Sequence, residues 1–264
     1  MDRLFLIIST FFFLFGFAYT MQSLRARVYK TSRLNFFAIL SGFLCQTAFL
    51  YLRGQSLGRC PLTNHFEVLG FLSWSLVLFY LLIGPAYRLS LLGAFTSPLV
   101  FLFQSSALLL VADSPSKLRL APNSWLELHA AISVVAYGAF ALASVAGVMY
   151  LAQERQLKTH HIHSIFYHLP PIRDLAVANA RLVIVGFVLL TVGLGAGFKL
   201  GSVFTHSPLT AWSVAVWLLY GVLAALGGLH RISPRRVAWL SVVALGAVLL
   251  TLGGLRFVTE KGAL

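Results

Sequence analysis

The chain has 264 residues, 59% of them hydrophobic and 10% charged, against roughly 45–50% and about 25% in an ordinary soluble domain. A soluble fold of this size cannot hide so much apolar surface and still cover itself with polar side chains, which excludes a cytosolic globular enzyme, a disordered chain and a disulfide-stapled secreted domain. The net charge of +13 is scattered between long uncharged stretches, which points to lipid and away from nucleic acid, and Cys45 and Cys60 alone make neither a disulfide framework nor a zinc site.

Reading between charges gives eight uncharged windows: 4–24, 34–52, 68–87, 89–112, 128–153, 182–198, 200–230 and 237–255. About 20 apolar residues cross the hydrocarbon core as a helix. The first window follows Arg3 and has some features of a secretory signal. Its apolar run exceeds the usual ~7–15 residues and no small-x-small cleavage site follows, so it is taken as the first helix. The seventh window contains Gly201, Ser202 and Pro208, so its helix is expected to start near Ala211. No window alternates in the manner of a membrane barrel. The expected fold is all-α: a polytopic integral membrane protein, one domain over 1–264, built as a bundle of eight transmembrane helices.

Loop charge sets the expected orientation. Twelve of the twenty basic residues fall between windows one and two, three and four, five and six, and seven and eight. The positive-inside rule places those twelve in the cytoplasm and both termini outside. The longest polar segment, about 154–180, then becomes a cytoplasmic loop broken by Pro170-Pro171. Windows six to eight are dense in glycine (Gly186, Gly193, Gly195, Gly197, Gly221, Gly246, Gly253), read as close helix packing rather than as a dinucleotide fingerprint.

Polar groups in or beside a bilayer are candidates for function. Glu67 opens the third helix and shares a narrow stripe with Phe71 and Trp74. Asn64 as N-cap with Glu67 three residues later is a capping pair; the same carboxylate can also line an outward pocket with Trp74. His129 opens the fifth helix, with Ser133 and Tyr137 following at steps of four on one face. It is read either as a hydrogen-bonded interfacial residue or as an axial ligand for haem iron. His65 and His206 are expected on the same outer side. The run His160, His161 and His163, with His168, lacks cysteine or acidic partners at a metal-site spacing and reads as solvated loop. His230 reads as a headgroup anchor beside Arg231. No hydrolytic triad, carboxylate pair or phosphate loop is present, and the window interiors carry no charge for a transport pathway.

Five motifs carry a resemblance. Pro61-Leu62-Thr63-Asn64-x-Phe66-Glu67-x-Leu69-x-Phe71-x-Ser73-Trp74 enters the third helix, and Leu128-His129-x-x-x-Ser133-x-x-x-Tyr137 the fifth. Arg181-Leu182-x-x-x-Gly186-Phe187-x-Leu189-Leu190-Thr191-x-Gly193 forms the sixth. Trp212-x-x-x-x-Trp217-Leu218-x-Tyr220 followed by Arg235-Arg236-x-Ala238-x-Leu240-Ser241 forms the last two. In order and spacing these resemble the cytochrome c assembly family, the CcsA/CcmC/HemX-like membrane proteins, and most closely its short HemX-like members. The resemblance implies an eight-helix protein of the cell inner (cytoplasmic) membrane that binds or presents haem at the outer face. Its implied partners are the lipid bilayer, apocytochrome c and other cytochrome c assembly proteins. A HemX-type regulator of haem biosynthesis, acting through the cytoplasmic loop, is the alternative. The implied cofactor site is His129 as iron ligand, His206 or His65 as second ligand, and Trp74, Glu67 and Tyr137 around it. The chain departs from the family at 201–208, where the tryptophan-rich haem loop would fall but no tryptophan stands, and at Ala225, where a histidine is usual. No catalytic residue is assigned.

Overall fold

The computed structural model describes residues 2–25, 33–62, 64–83, 92–109, 124–159, 171–200, 208–229 and 231–261. They form eight helices: α1 (Asp2–Arg25), α2 (Arg33–Leu57), α3 (His65–Ile83), α4 (Leu92–Leu109), α5 (Ser124–Thr159), α6 (Ile172–Phe198), α7 (Pro208–Gly228) and α8 (Pro234–Lys261). Among the described residues, α1, α2, α3, α5, α6 and α7 are long and apolar enough to cross a membrane, and α4 has a shorter apolar stretch, Phe95–Leu109. Large apolar side chains such as Phe11, Phe37, Leu102, Val192, Val222 and Trp239 point outward, as a lipid-facing surface requires. The chain is a multi-pass membrane protein.

The expected helices are all present, but three boundaries differ notably. Both ends of the polar segment 154–180 are helical, because α5 runs on to Thr159 and α6 already begins at Ile172. Pro171 does not merely interrupt the chain. It occupies the N-cap of α6 with φ −51° and ψ 136°, and its carbonyl accepts from the Asp174 amide at 2.9 Å. Proline is well suited to a helix start, where its missing N–H is not needed, and an acidic residue in the first turn favours the dipole. Charge ends a membrane span without ending a helix. With 36 residues, α5 is about 54 Å long, well beyond the ~30 Å hydrocarbon core. Likewise α7 starts at Pro208, three residues before the expected Ala211.

The long helix α5 is the centre of the bundle. It packs on α6 most extensively and also on α3 and α8, while α1, α2, α3 and α4 pack together as a second group. Its buried face is mostly Ala and Gly, including Ala136, Gly138, Ala139, Ala143, Ala146 and Gly147, so neighbouring backbones come close. A Cβ on Gly138 would stand 2.9 Å from the backbone carbon of Ser75 in α3. On α6, a Cβ on Gly186 would run into the Phe140 ring, and on α7 one at Gly221 would meet Phe187 at 2.9 Å. The packing explanation does not extend to every glycine expected to share it: Gly195 and Gly246 face open space.

Buried polar side chains tie the helices together. Asn179 Nδ2 of α6 donates to the Ala143 carbonyl of α5 at 2.6 Å and to Ser241 Oγ of α8 at 2.9 Å. Ser144 of α5 donates to the Ser241 carbonyl at 2.9 Å. In the other group, Thr10 of α1 donates to Gln104 Oε1 of α4 at 2.9 Å, and Gln46 of α2 donates to the Gly70 carbonyl of α3 at 2.8 Å. A buried polar group costs free energy unless bonded, so each such pair fixes a helix register.

Candidate functional site

The corner between α2 and α3 is built first by the chain. Gly58 takes φ +62° just after α2 ends, a left-handed conformation that glycine adopts without strain. Asn64 then caps α3, its Oδ1 accepting from the Glu67 amide at 2.9 Å, which is the capping arrangement expected from the sequence. The carboxylate itself is held by Arg53 of α2, Nε to Oε1 3.1 Å, with the Glu67 side chain only 1% exposed. Nothing in the local spacing announced this partner, since Arg53 sits fourteen residues upstream on another helix. Trp74, two turns along α3, turns to α2: its indole N–H donates to Thr47 Oγ1 at 2.9 Å and its ring stacks on Phe43 at 5.5 Å.

The corner is joined to α5 by the Cys60 amide, which donates to Glu127 Oε2 at 3.3 Å. His65, exposed at the start of α3, therefore stands at the same end of the bundle as His129. Burial pushes the Cys60 thiol up from its ordinary value, and the carboxylates of Glu127 and Glu67 add to this.

His129 lies one turn into α5, half-buried, with Nδ1 2.7 Å from the carbonyl oxygen of Gly193 on α6. A carbonyl only accepts, so Nδ1 carries the proton and donates it. In the neutral ring that tautomer puts the lone pair on Nε2. The reason this contact forms is steric. A Cβ on Gly193 would stand 2.8 Å from Ser133 Oγ and 3.3 Å from Ser133 N, so only glycine lets α6 lie this close to α5. The His129–Ser133 step and Gly193, which the sequence places in two separate motifs, are one contact.

Ser133 Oγ, one turn on from His129, and Trp212 Nε1 and Tyr220 OH on α7 are buried polar atoms that have no hydrogen-bond partner among the described residues. Tyr220 stacks flat on Phe140 with centroids 3.5 Å apart, and Tyr137 meets the same Phe140 edge-on at 6.3 Å. Trp212, Val216 and Tyr220 follow at steps of four along α7, as His129, Ser133 and Tyr137 do along α5, and both helices flank α6 or pack on it. Sequence reasoning took the α5 series as site residues and quoted Trp212 and Tyr220 only within a family motif, although the same spacing was available there. Buried donors left open are unusual in a folded protein. Ser133 Oγ, one turn along α5 from an imidazole of fixed tautomer, is placed to serve a ligand that offers both a metal and acceptor oxygens.

His206, the histidines at 160–168 and His230 lie outside the described residues. Among the described residues no group of three or more His, Cys, Asp or Glu is placed to hold a metal ion. A haem iron needs only one or two axial ligands from the protein.

The bundle of apolar helices defines a multi-pass membrane protein, and sequence similarity gives its family. The family model "Cytochrome C assembly protein" matches residues 62–261, most of the chain, and the chain belongs to that family. It is 28% identical over 226 residues to the cytochrome c biogenesis protein CcsA of Synechococcus sp. (strain CC9311), covering 72% of this chain and 74% of that protein. To the CcsA protein of Guillardia theta it is 25% identical over 235 residues, covering 80% and 78% respectively. A third CcsA relative, from Chlamydomonas reinhardtii, is 25% identical over 186 residues and covers 66% of this chain and 51% of that protein.

Proposed function

We propose that this protein serves in cytochrome c biogenesis by binding haem at the end of the bundle where His129 stands and presenting it to apocytochrome c. That end, with both termini, faces outward from the cytoplasmic membrane, and all eight helices span it. The observation that carries the reading is the 2.7 Å bond from His129 Nδ1 to the Gly193 carbonyl. Histidines that ligate metals typically donate the other ring N–H to a carbonyl or carboxylate, which fixes the ring and aims Nε2.

Bound haem supplies a porphyrin iron that accepts an imidazole lone pair. The chain's own residues do the rest. His129 holds the iron from one side and His206 or His65 from the other. Ser133, Trp212 and Tyr220 offer unpartnered donors to the ligand's polar edge, and Tyr137 with Phe140 forms an aromatic wall. Glu67 and Trp74 keep the α2–α3 corner in place beside His65. The regulatory alternative is not favoured, since the relatives named above are cytochrome c biogenesis proteins.

The test is a pyridine haemochrome assay on protein purified in mild detergent from haem-replete cells. Haem should accompany the wild type and be lost from His129→Ala at equal protein yield. Haem retained in full by that variant would remove the assignment.

A further inference from the structure

A second feature lies at the opposite end of the bundle from His129. Between the first half of α6, the end of α7 and the start of α8 a groove of about 430 Å³ opens. Arg173 on its rim and Gly193 beside His129 are both on α6, twenty residues or about 30 Å apart along the axis. The groove plays no part in the site described above.

Its lining has a particular chemistry. Ile184, Ile232 and Val237 make an apolar wall and Gly228 leaves space along it; a Cβ there would touch only Ile184, at 3.6 Å. Arg173 and Arg181 stand in the same lining, and among the described residues no acidic side chain does. Eight residues apart, they project within about 80° of one another from α6. A fatty wall with two cations on one side matches an amphiphile with an anionic head. Among the described residues, no imidazole, thiolate or thioether stands in the lining. A small hydrophilic anion would leave the apolar wall uncovered, whereas the surrounding bilayer supplies a molecule with both parts.

We infer that this groove is a binding site for an anionic phospholipid, with an acyl chain along Ile184, Ile232 and Val237 and the phosphate drawn to Arg173 and Arg181. Basic pockets between membrane helices bind acidic headgroups, and such lipids are enriched in the cytoplasmic leaflet. The lipid occupies the space where α6, α7 and α8 meet and so braces the three helices. α7 and α8 meet in this region at Gly227 and Val237, where a Cβ on the glycine would stand 3.3 Å from the valine.

The experiment is native mass spectrometry of the full chain in detergent, titrated with phosphatidylglycerol or with phosphatidylcholine. One phosphatidylglycerol should bind per chain in preference to phosphatidylcholine. Arg173→Gln with Arg181→Gln should weaken it roughly thirty-fold, about five-fold for each arginine. Gly228→Leu, which fills the groove and keeps both charges, should also displace it, while Arg59→Gln at the other end should leave it unchanged. Equal retention of the two lipids overturns the inference without need of any variant. So does undiminished phosphatidylglycerol binding in both groove variants, or full protection against lipid binding by millimolar inorganic phosphate, which would mark an anion site only.

Discussion

His129 and Gly193, 64 residues apart, meet through a 2.7 Å hydrogen bond from an imidazole to a backbone carbonyl. The histidine brings a donor, and the glycine brings an absence: with no side chain, it lets the carbonyl of α6 approach the first turns of α5. Orientation of the ring is thus written into helix packing.

Gly193→Val should therefore act at a distance. A Cβ at this position lies 2.8 Å from Ser133 Oγ and 3.3 Å from Ser133 N, so α6 must shift away and the bond to His129 lengthens. Overpacking of this kind costs typically about 1–3 kcal/mol. The expected outcome is a lower melting temperature in detergent together with reduced haem retention. Gly193→Ala combined with Ser133→Ala, which removes the nearest obstructing atom, should recover part of both. Haem retention unchanged in Gly193→Val would show that the helix contact does not orient the ring.

The Arg53–Glu67 pair predicts a stability effect. The carboxylate is buried and its partner is 17% exposed, and removing one member of a buried pair leaves an uncompensated charge at a cost of about 3–5 kcal/mol. Because the arginine keeps some contact with solvent, the lower end of that range is expected for Arg53→Ala. Thermal unfolding in detergent measures it, and Arg53→Lys should recover part of the loss. A melting temperature equal to wild type for Arg53→Ala would contradict the pairing.

Asn179 is the second such point. Its amide donates to α5 and α8 at once, so Asn179→Ala leaves the Ala143 carbonyl and Ser241 without this donor. About 1–3 kcal/mol of destabilisation is expected, again read by thermal unfolding. Removal of Thr47 Oγ1, which accepts from the half-buried Trp74 at an exposed position, should cost less.

Cys60 reports both chemistry and orientation. Its thiol is pushed up, chiefly by burial and then by Glu127 and Glu67, and only the thiolate reacts with alkylating agents. In the Cys45→Ser background, the rate of modification by iodoacetamide should therefore rise with pH about a midpoint above the ~8.5 of a free thiol. Glu127→Gln should lower that midpoint without restoring it fully, because burial remains. A midpoint at or below the free value would contradict the local electrostatics. In intact spheroplasts of the same variant, a membrane-impermeant maleimide should reach Cys60 from outside, as the proposed orientation requires.

Much of this was legible in the residues alone. Apolar length between charges yields the helices because hydrocarbon thickness dictates it, and the Asn64–Glu67 cap follows from spacing within one turn. What escaped depends on contacts between distant segments. Arg53 was not paired with Glu67, nor Gly193 with His129, because side chains on different helices meet only once the bundle is assembled. The helical ends of the segment 154–180 escaped for a different reason. Charge marks where a chain leaves lipid, while helix ends depend on caps such as Pro171. Gly195 and Gly246, counted with the packing glycines, face open space because composition does not reveal which side of a helix meets a neighbour.

Ligation of iron by His129 is tested most directly by chemical rescue. In His129→Gly the ring is removed and space for a small ligand remains. Added imidazole should restore the wild-type absorption spectrum of the reconstituted haem protein, at concentrations that leave the wild type unaltered. If the variant's haem spectrum matches wild type before imidazole is added, His129 is not a ligand and the account fails.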